Sequence, residues 1–188
     1  KTLAGQIIID GDGRASGTET LTIKNVAFEG DKSCFYSGTD SFVLVPSTKD
    51  TNKPWSTGKY NYAHNITMTD CTFTSTSSTY NVVGYKATSG AGDYNVVLNN
   101  ITATNLHSLA QMTGTTGASF TNCTVTNSES GVNIDGGAGN FVFTNNNFDL
   151  TTGYGIRLKG NSGNGGRTIR LDETNTIKAA NPVVLGKN

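Results

Sequence analysis

The sequence predicts an all-β protein, a single-stranded right-handed parallel β-helix of about six coils. A short pattern, apolar–any–Asn/Asp–any–any–apolar, occurs five times, and a looser sixth copy follows. Short segments rich in β-forming residues, bounded by Gly, Ser or Asn, precede the later copies. No segment keeps an apolar period of about 3.6 residues, so we expect almost no helix.

The repeated pattern is centred on an Asn or Asp residue. It covers 23–28, 68–73, 98–103, 120–125 and 143–148, with the looser copy at 171–177. Successive centres are 45, 30, 22 and 23 residues apart. The last two steps fit one coil each, and the longer steps require loops. Because Asn and Asp tolerate the left-handed backbone angles of a tight corner, we expect one corner ladder: Asn25, Asp70, Asn100, Asn122 and Asn145.

The second set of strand signals lies at 42–45, 81–85, 109–112, 132–135, 156–159 and 182–185. Alternation along a strand points successive side chains to opposite faces. Stacked coils bury the inward face, since a single coil cannot bury its own apolar residues. One shared core is therefore expected to contain Val132, Ile134, Phe141, Phe143 and Phe148.

This coil pattern resembles the pectate-lyase-like superfamily of right-handed parallel β-helices. The resemblance covers nearly the whole chain, from the run LAGQIIIDG at 3–11 onward. That superfamily includes polysaccharide lyases, polygalacturonases, phage tailspikes and bacterial surface adhesins. The resemblance therefore implies a fold and leaves the activity open.

The composition indicates the setting in which the chain works. We expect one domain over 1–188, and the absence of an initial Met or signal segment suggests a piece of a larger protein. The 14 basic and 14 acidic residues give no electrostatic footprint for nucleic acid. No apolar run reaches the roughly 18–20 residues of a membrane span. Low charge with many Thr, Ser, Asn and Gly favours an extracellular, cell-surface or virion location.

The outward face of the second strand set carries the polar residues that could meet a ligand. The run GIRLKG at 155–160 is similar to the R-I-K segment of polygalacturonases, but the N-T-D, D-D and G-H-G motifs of those enzymes are missing. Glycosidases generally need two carboxylates, and Asp135 stands alone. Arg157 or Lys159 would suit the base of a lyase, yet no acidic cluster for Ca²⁺ surrounds them. We therefore predict no catalytic residue.

A long insertion at 46–64 is the second functional lead. Loops beyond roughly 12–15 residues are usually functional or disordered. The insertion contains Trp55, the only Trp of the chain, together with Tyr60 and Tyr62. Aromatic faces stack on sugar rings and provide large contact area. The alternative is that these rings pin the loop against the flank of the β-helix.

The cysteines and histidines predict no metal site and no cofactor. Cys71 and Cys123 occupy equivalent inward slots two coils apart, a separation of roughly 9–10 Å, whereas a disulfide requires Cα atoms within about 7 Å. Both are therefore expected to be reduced core residues. His64 and His107 lie too far apart in the coil pattern to form a metal pair.

These observations favour a non-catalytic extracellular surface module of the adhesin or phage-spike type. It would bind a polysaccharide or a host-surface glycan, or act as a structural stalk, and self-association or trimerisation is left open. No nucleic acid or membrane partner is expected. The alternative is a polysaccharide lyase or glycoside hydrolase acting on an acidic polysaccharide. The candidate ligand-binding residues are Trp55, Tyr60, Tyr62, Gln111, Asn133, Asp135, Arg157 and Lys159.

Overall fold

The computed structural model describes residues 1–9, 19–35, 40–45, 64–86, 95–113, 117–135, 139–159 and 166–186. Within them the chain forms strands and one short 3₁₀-helix, η1 (Lys32–Cys34). The strands lie in two sheets, one of eleven strands and one of seven. The described part of the chain contains no helix with the length and apolar character of a membrane span.

Each coil passes through three strand segments, two of which flank a sharp corner. We call the segments before the corner leading strands and those after it trailing strands; together they form the eleven-stranded sheet. The leading strands are β3 (Glu19–Lys24), the first halves of β6 (His64–Ser75) and β8 (Asn95–Thr104), β10 (Gly117–Thr121), β13 (Gly139–Thr144) and β16 (Arg167–Leu171). The trailing strands are β1 (Thr2–Ala4), β4 (Ala27–Gly30), the second halves of β6 and β8, β11 (Thr124–Ser128), β14 (Asn147–Leu150) and β17 (Thr176–Lys178).

The third segments, called return strands, form the seven-stranded sheet. Their pairing is parallel, and Val132 lies in register with Ile156 as the predicted fold requires. The parallel β-helix is therefore confirmed, and six leading strands agree with about six coils. The return strands are β2 (Ile7–Ile8), β5 (Ser41–Val45), β7 (Asn81–Lys86), β9 (Ser108–Thr113), β12 (Val132–Asp135), β15 (Tyr154–Lys159) and β18 (Asn181–Gly186).

The core runs continuously along the inside of the coils. Phe120 and Phe143 stack with ring centroids 4.9 Å apart, and Phe28 and Phe73 do the same at 4.5 Å. Such stacking follows from the parallel register, because equivalent inward residues of neighbouring coils lie one strand spacing apart, about 4.8 Å. The predicted core is confirmed, since at most 1% of each of its members is exposed: Val132, Ile134, Phe141, Phe143 and Phe148.

The predicted corner ladder is also confirmed. All five residues have a positive φ, between 53° and 57°. The Asn100 side-chain amide donates a hydrogen bond to Asp70 at 2.7 Å, and Asn145 donates to Asn122 at the same distance. The left-handed corner thus follows from residues that tolerate this conformation and link neighbouring coils.

A second left-handed position lies at the end of the trailing strands and was not predicted. It is occupied by Asn105, with φ 59°, and Asn127, with φ 49°. Asn105 donates a hydrogen bond from its side chain to the Ser75 carbonyl at 2.5 Å. The two residues are 22 positions apart, the same step that separates Asn100 from Asn122. This equal step, and the Thr that precedes Asn in both cases, are the sequence features from which the second left-handed position could have been predicted.

The first inward slot after the corner changes character along the β-helix. Cys71 pairs in register with Ile101, and Cys123 occupies the equivalent slot one coil further on. Both cysteines are buried and free, as predicted. In the next coil Asn146 takes the slot, where its side chain donates to the Phe120 carbonyl at 3.0 Å and accepts from the Cys123 amide at 2.9 Å. Its burial is therefore compensated by hydrogen bonds.

Candidate functional site

Three adjacent return strands bring together five of the predicted ligand-binding residues. Asn133 of β12 lies in register with Gln111 of β9 and with Arg157 of β15. Asp135 pairs in the same way with Lys159. All five side chains are partly exposed, and the residues between them along the strands point into the core. We call this surface, formed by Gln111, Asn133, Asp135, Arg157 and Lys159, the return face.

Arg157 is held by an aromatic ring that the sequence analysis did not select. Its guanidinium carbon lies 4.7 Å from the centroid of the Tyr154 ring. A guanidinium over an aromatic face is attracted by the ring quadrupole. Strict alternation places residues three apart on opposite faces of a strand, so the sequence pattern pointed away from this pair.

The charges of the return face are close together and exposed to solvent. The Lys159 ammonium lies 3.9 Å from the Asp135 carboxylate, with 44% and 49% of the two side chains exposed. Arg167, from the neighbouring leading strand β16, donates a hydrogen bond to the Lys159 carbonyl at 2.8 Å. Arg157 adds a further positive charge to this surface. Two cations therefore face one carboxylate.

One buried polar atom of the return face has no hydrogen-bond partner. The Asn133 side-chain oxygen is inaccessible to solvent and accepts no hydrogen bond. Leaving such an acceptor unpaired costs about 1–3 kcal/mol, so these atoms are uncommon in folded proteins. Two similar atoms, Asn99 Oδ1 and His107 Nδ1, lie on other strands or turns.

The aromatic residues of the predicted site belong to the 46–64 insertion. Trp55, Tyr60 and Tyr62 lie outside the described residues, as does the insertion they belong to apart from its last residue, His64. Their participation in ligand binding stays a prediction.

The described return strands offer little catalytic or metal-binding chemistry. Asp135 is the only acidic residue within them, whereas glycoside hydrolysis generally uses a pair of carboxylates. Among the residues that the structure describes, no group of three or more His, Cys, Asp or Glu side chains is placed to hold a metal ion. His107 instead lies 3.8 Å from Glu129.

Comparison with known proteins identifies one family. Its model, described as periplasmic copper-binding protein (NosD), matches residues 15–169, well over half of the chain. No curated protein and no solved structure matches the chain. The family consists of periplasmic proteins with the right-handed β-helix fold of the pectate-lyase-like class, which agrees with the fold described above and with a location outside the cytoplasm. The chain belongs to the NosD family of periplasmic parallel β-helix proteins.

Proposed function

We propose that the chain is a non-catalytic, extracytoplasmic β-helix module that binds glycans through its return face. The observation that carries this proposal is the register of β9, β12 and β15, which assembles five polar side chains from three coils into one surface. Residues 22 to 24 positions apart in the chain become neighbours there.

The polar groups of the return face match the hydroxyl groups of sugars. The Gln111 and Asn133 amides can each donate and accept hydrogen bonds. The Tyr154 ring keeps the Arg157 guanidinium in place, so less side-chain entropy is lost when a ligand binds.

The charge of this face favours sugars that carry carboxylates. Arg157 and Lys159 exceed Asp135 by one positive charge. A guanidinium binds a carboxylate through two parallel hydrogen bonds, which are stronger than those between neutral groups. We therefore infer an acidic glycan, with Trp55, Tyr60 and Tyr62 of the 46–64 insertion as additional stacking platforms.

Three other functions are less well supported. The family match gives no support to an adhesin or a phage spike in particular, and it favours the cell envelope over a virion. A polysaccharide lyase would use Arg157 or Lys159 as base, but Asp135 is the only acid on the described return strands. A structural stalk would need no cluster of charged and amide side chains on this face, and the binding experiment below distinguishes it.

The family description mentions copper, and the described residues do not fit a copper site. Copper is bound by imidazole, thiolate and thioether ligands. Cys71, Cys123, Met68 and Met112 are buried in the apolar core. Among the described residues, no group of three or more His, Cys, Asp or Glu side chains is placed to hold a metal ion. Copper therefore has no part in this proposal.

A glycan array tests the proposal with the wild-type chain and two variants of the return face. Arg157→Ala and Asn133→Ala should weaken binding to acidic glycans, the first by about tenfold or more, as expected for loss of a charged hydrogen bond. Arg170→Ala is the matched control, since Arg170 is an exposed arginine on leading strand β16. Circular dichroism should show the same β-sheet signal for all variants.

Two results would overturn the proposal. If the wild type binds nothing, or if Arg157→Ala and Arg170→Ala bind equally well, the return face is not the site and the stalk function is favoured. If incubation with acidic polysaccharides releases unsaturated uronates or new reducing ends, the chain is an enzyme.

A further inference from the structure

The charge of the return face changes from one coil to the next. The outward residues of β9 are neutral, those of β12 carry one negative charge, and those of β15 carry two positive charges. In chain order these outward residues are Gln111, Thr113, Asn133, Asp135, Arg157 and Lys159. The carboxylate and the two cations therefore lie at different levels along the β-helix axis.

Strand register places the six residues in two rows that run parallel to this axis. The first row leads from Gln111 to Arg157, and the second leads from Thr113 to Lys159. Neighbouring members of a row are one strand spacing apart, about 4.8 Å. Each row thus presents a fixed order of neutral and charged groups to a ligand that lies along it.

A glycan chain meets the most polar groups of the return face when it runs along the axis. Along a strand, alternation leaves only two outward residues at each level. Along the axis, three polar levels follow one another before the rows reach Val184 and Gly186 in the next coil. A pyranose ring lengthens an extended glycan by a distance close to one strand spacing, so neighbouring sugars meet neighbouring coils.

The level of β15 attracts a carboxylate. The Arg157 guanidinium carbon lies 4.7 Å from the centroid of the Tyr154 ring, which holds the cation in place. Arg167 donates a hydrogen bond to the Lys159 carbonyl at 2.8 Å and adds a third cation beside this level. A guanidinium binds a carboxylate through two parallel hydrogen bonds. An acidic sugar therefore fits here.

The level of β12 repels a carboxylate. The Asp135 side chain is 49% exposed, so a ligand can approach its charge. Lys159, the cation nearest to it on the return face, lies 3.9 Å away and belongs to the neighbouring coil. Asn133, the other outward residue of β12, is uncharged. A like charge placed beside an exposed carboxylate lowers affinity and so excludes a wrong partner.

We propose that Asp135 determines the specificity of the return face, which selects glycans whose acidic sugars are not adjacent. The acidic sugar binds at the level of β15, and a neutral sugar binds beside Asn133 and Asp135. A glycan in which uronate and neutral sugars alternate satisfies both levels, whereas a polymer of uronates alone places a carboxylate at Asp135. This inference rests on the proposed glycan binding and names the class of glycan.

Two acidic oligosaccharides of equal length test the proposal. One alternates glucuronic acid with N-acetylglucosamine, and the other contains galacturonic acid alone. Isothermal titration calorimetry of the complete wild-type chain at low salt should give an about fivefold lower Kd for the alternating oligosaccharide, the effect of one exposed charge pair. Asp135→Asn should reduce this difference to less than about twofold, mainly because the galacturonic acid oligomer binds more tightly.

Asp149→Asn is the matched control for the change in charge. Asp149 is an exposed aspartate of trailing strand β14 and also pairs with a lysine, Lys178, at 3.0 Å. Because it lies away from the return face, its variant should keep the wild-type preference for the alternating oligosaccharide. Circular dichroism should show the same β-sheet signal for all variants.

The outcomes separate this inference from the function on which it rests. If both oligosaccharides bind and both lose affinity in Arg157→Ala, but the wild type does not prefer the alternating one, the return face binds glycans and selection by Asp135 is refuted. An unchanged preference in Asp135→Asn also refutes it. If neither oligosaccharide binds the wild type, glycan binding by the return face fails and the inference fails with it.

Discussion

The return face lies on the same coils as a surface of different charge and chemistry, which we call the threonine face. It consists of the outward side chains of the trailing strands in three consecutive coils: Thr72, Thr74, Thr102, Thr104, Thr124 and Thr126. Gln111 and Thr102 belong to one coil, only nine positions apart in the chain. The return face combines two cations, a carboxylate and an unpaired amide oxygen. The threonine face is uncharged and repeats from coil to coil. Since inward residues and backbone pairing hold neighbouring coils together in both regions, the outward positions can differ in chemistry without loss of the fold.

Inward residues behind the two faces are alike. Val132 and Ile156 behind the return face are fully buried, as are Val125 and Phe73 behind the threonine face. They belong to one continuous core. Stability should therefore be shared by the two faces, whereas glycan binding should depend on the return face alone.

The largest expected effect is on the shared core. Phe120→Ala should lower the free energy of unfolding by about 3–5 kcal/mol, since a fully buried ring stacked on Phe143 is lost and a cavity remains. The return face should lose glycan binding as the variant unfolds. Urea unfolding followed by circular dichroism gives the change. Val142→Ala, a partly exposed position on β13, is the control and should cost less than about 1 kcal/mol. Glycan binding that persists after the β-sheet signal is lost would contradict a common core.

A smaller effect is expected at the corner beside the threonine face. Asn122 has φ 54° and accepts a hydrogen bond from Asn145. Asn122→Ala should cost about 2–3 kcal/mol, from left-handed strain of about 1–2 kcal/mol and the lost hydrogen bond. Asn122→Gly keeps the backbone freedom and should cost only the hydrogen bond, about 1 kcal/mol. Equal unfolding midpoints for the two variants would show that backbone strain is not what selects Asn.

The next effect depends on pH and arises beneath the threonine face. Burial raises the pKa of the Cys123 thiol to about 12. In the unfolded chain a thiol ionises near pH 8.5. Between these values the unfolded chain releases a proton that the folded chain keeps, so stability falls as the pH rises, by about 1.4 kcal/mol per pH unit.

Cys123→Ala measures this contribution by difference. Urea midpoints of the wild type and the variant should converge as the pH rises from 8 toward 10, because only the wild type carries the thiol. Parallel curves would mean that Cys123 ionises equally easily in the folded chain.

The smallest effects on stability are expected from the ion pairs of the two regions. Lys159 lies 3.9 Å from Asp135 on the return face, and Lys178 lies 3.0 Å from Asp149 at the end of the threonine face. Each pair is exposed, so Lys159→Met and Lys178→Met should each change the free energy of unfolding by less than about 1 kcal/mol. Only Lys159→Met should weaken binding to acidic glycans. Equal loss of binding in both variants would mean that overall charge, and not the return face, attracts the ligand.

Much of the candidate site followed from strand alternation, and the exceptions have physical causes. The five residues of the return face were predicted from the alternation of β9, β12 and β15. Tyr154 was missed because its ring reaches Arg157 from a position that alternation assigns to the other face. The unpaired Asn133 oxygen could not be predicted, since burial of one atom depends on the neighbouring strands.

By itself the sequence determined the coil, the left-handed Asn and Asp corner, the inward apolar residues and the reduced state of Cys71 and Cys123. These features depend on local conformation and on alternation, which a few neighbouring residues specify. Only the tertiary structure decided which outward residues meet. Thr72 and Thr102 are 30 positions apart and Thr102 and Thr124 only 22, because loops of different length separate the coils. Parallel backbone pairing places equivalent side chains of neighbouring coils one strand spacing apart, whatever the length of the loop between the coils. Residues that are separated by unequal distances in the sequence therefore form regular rows on the surface.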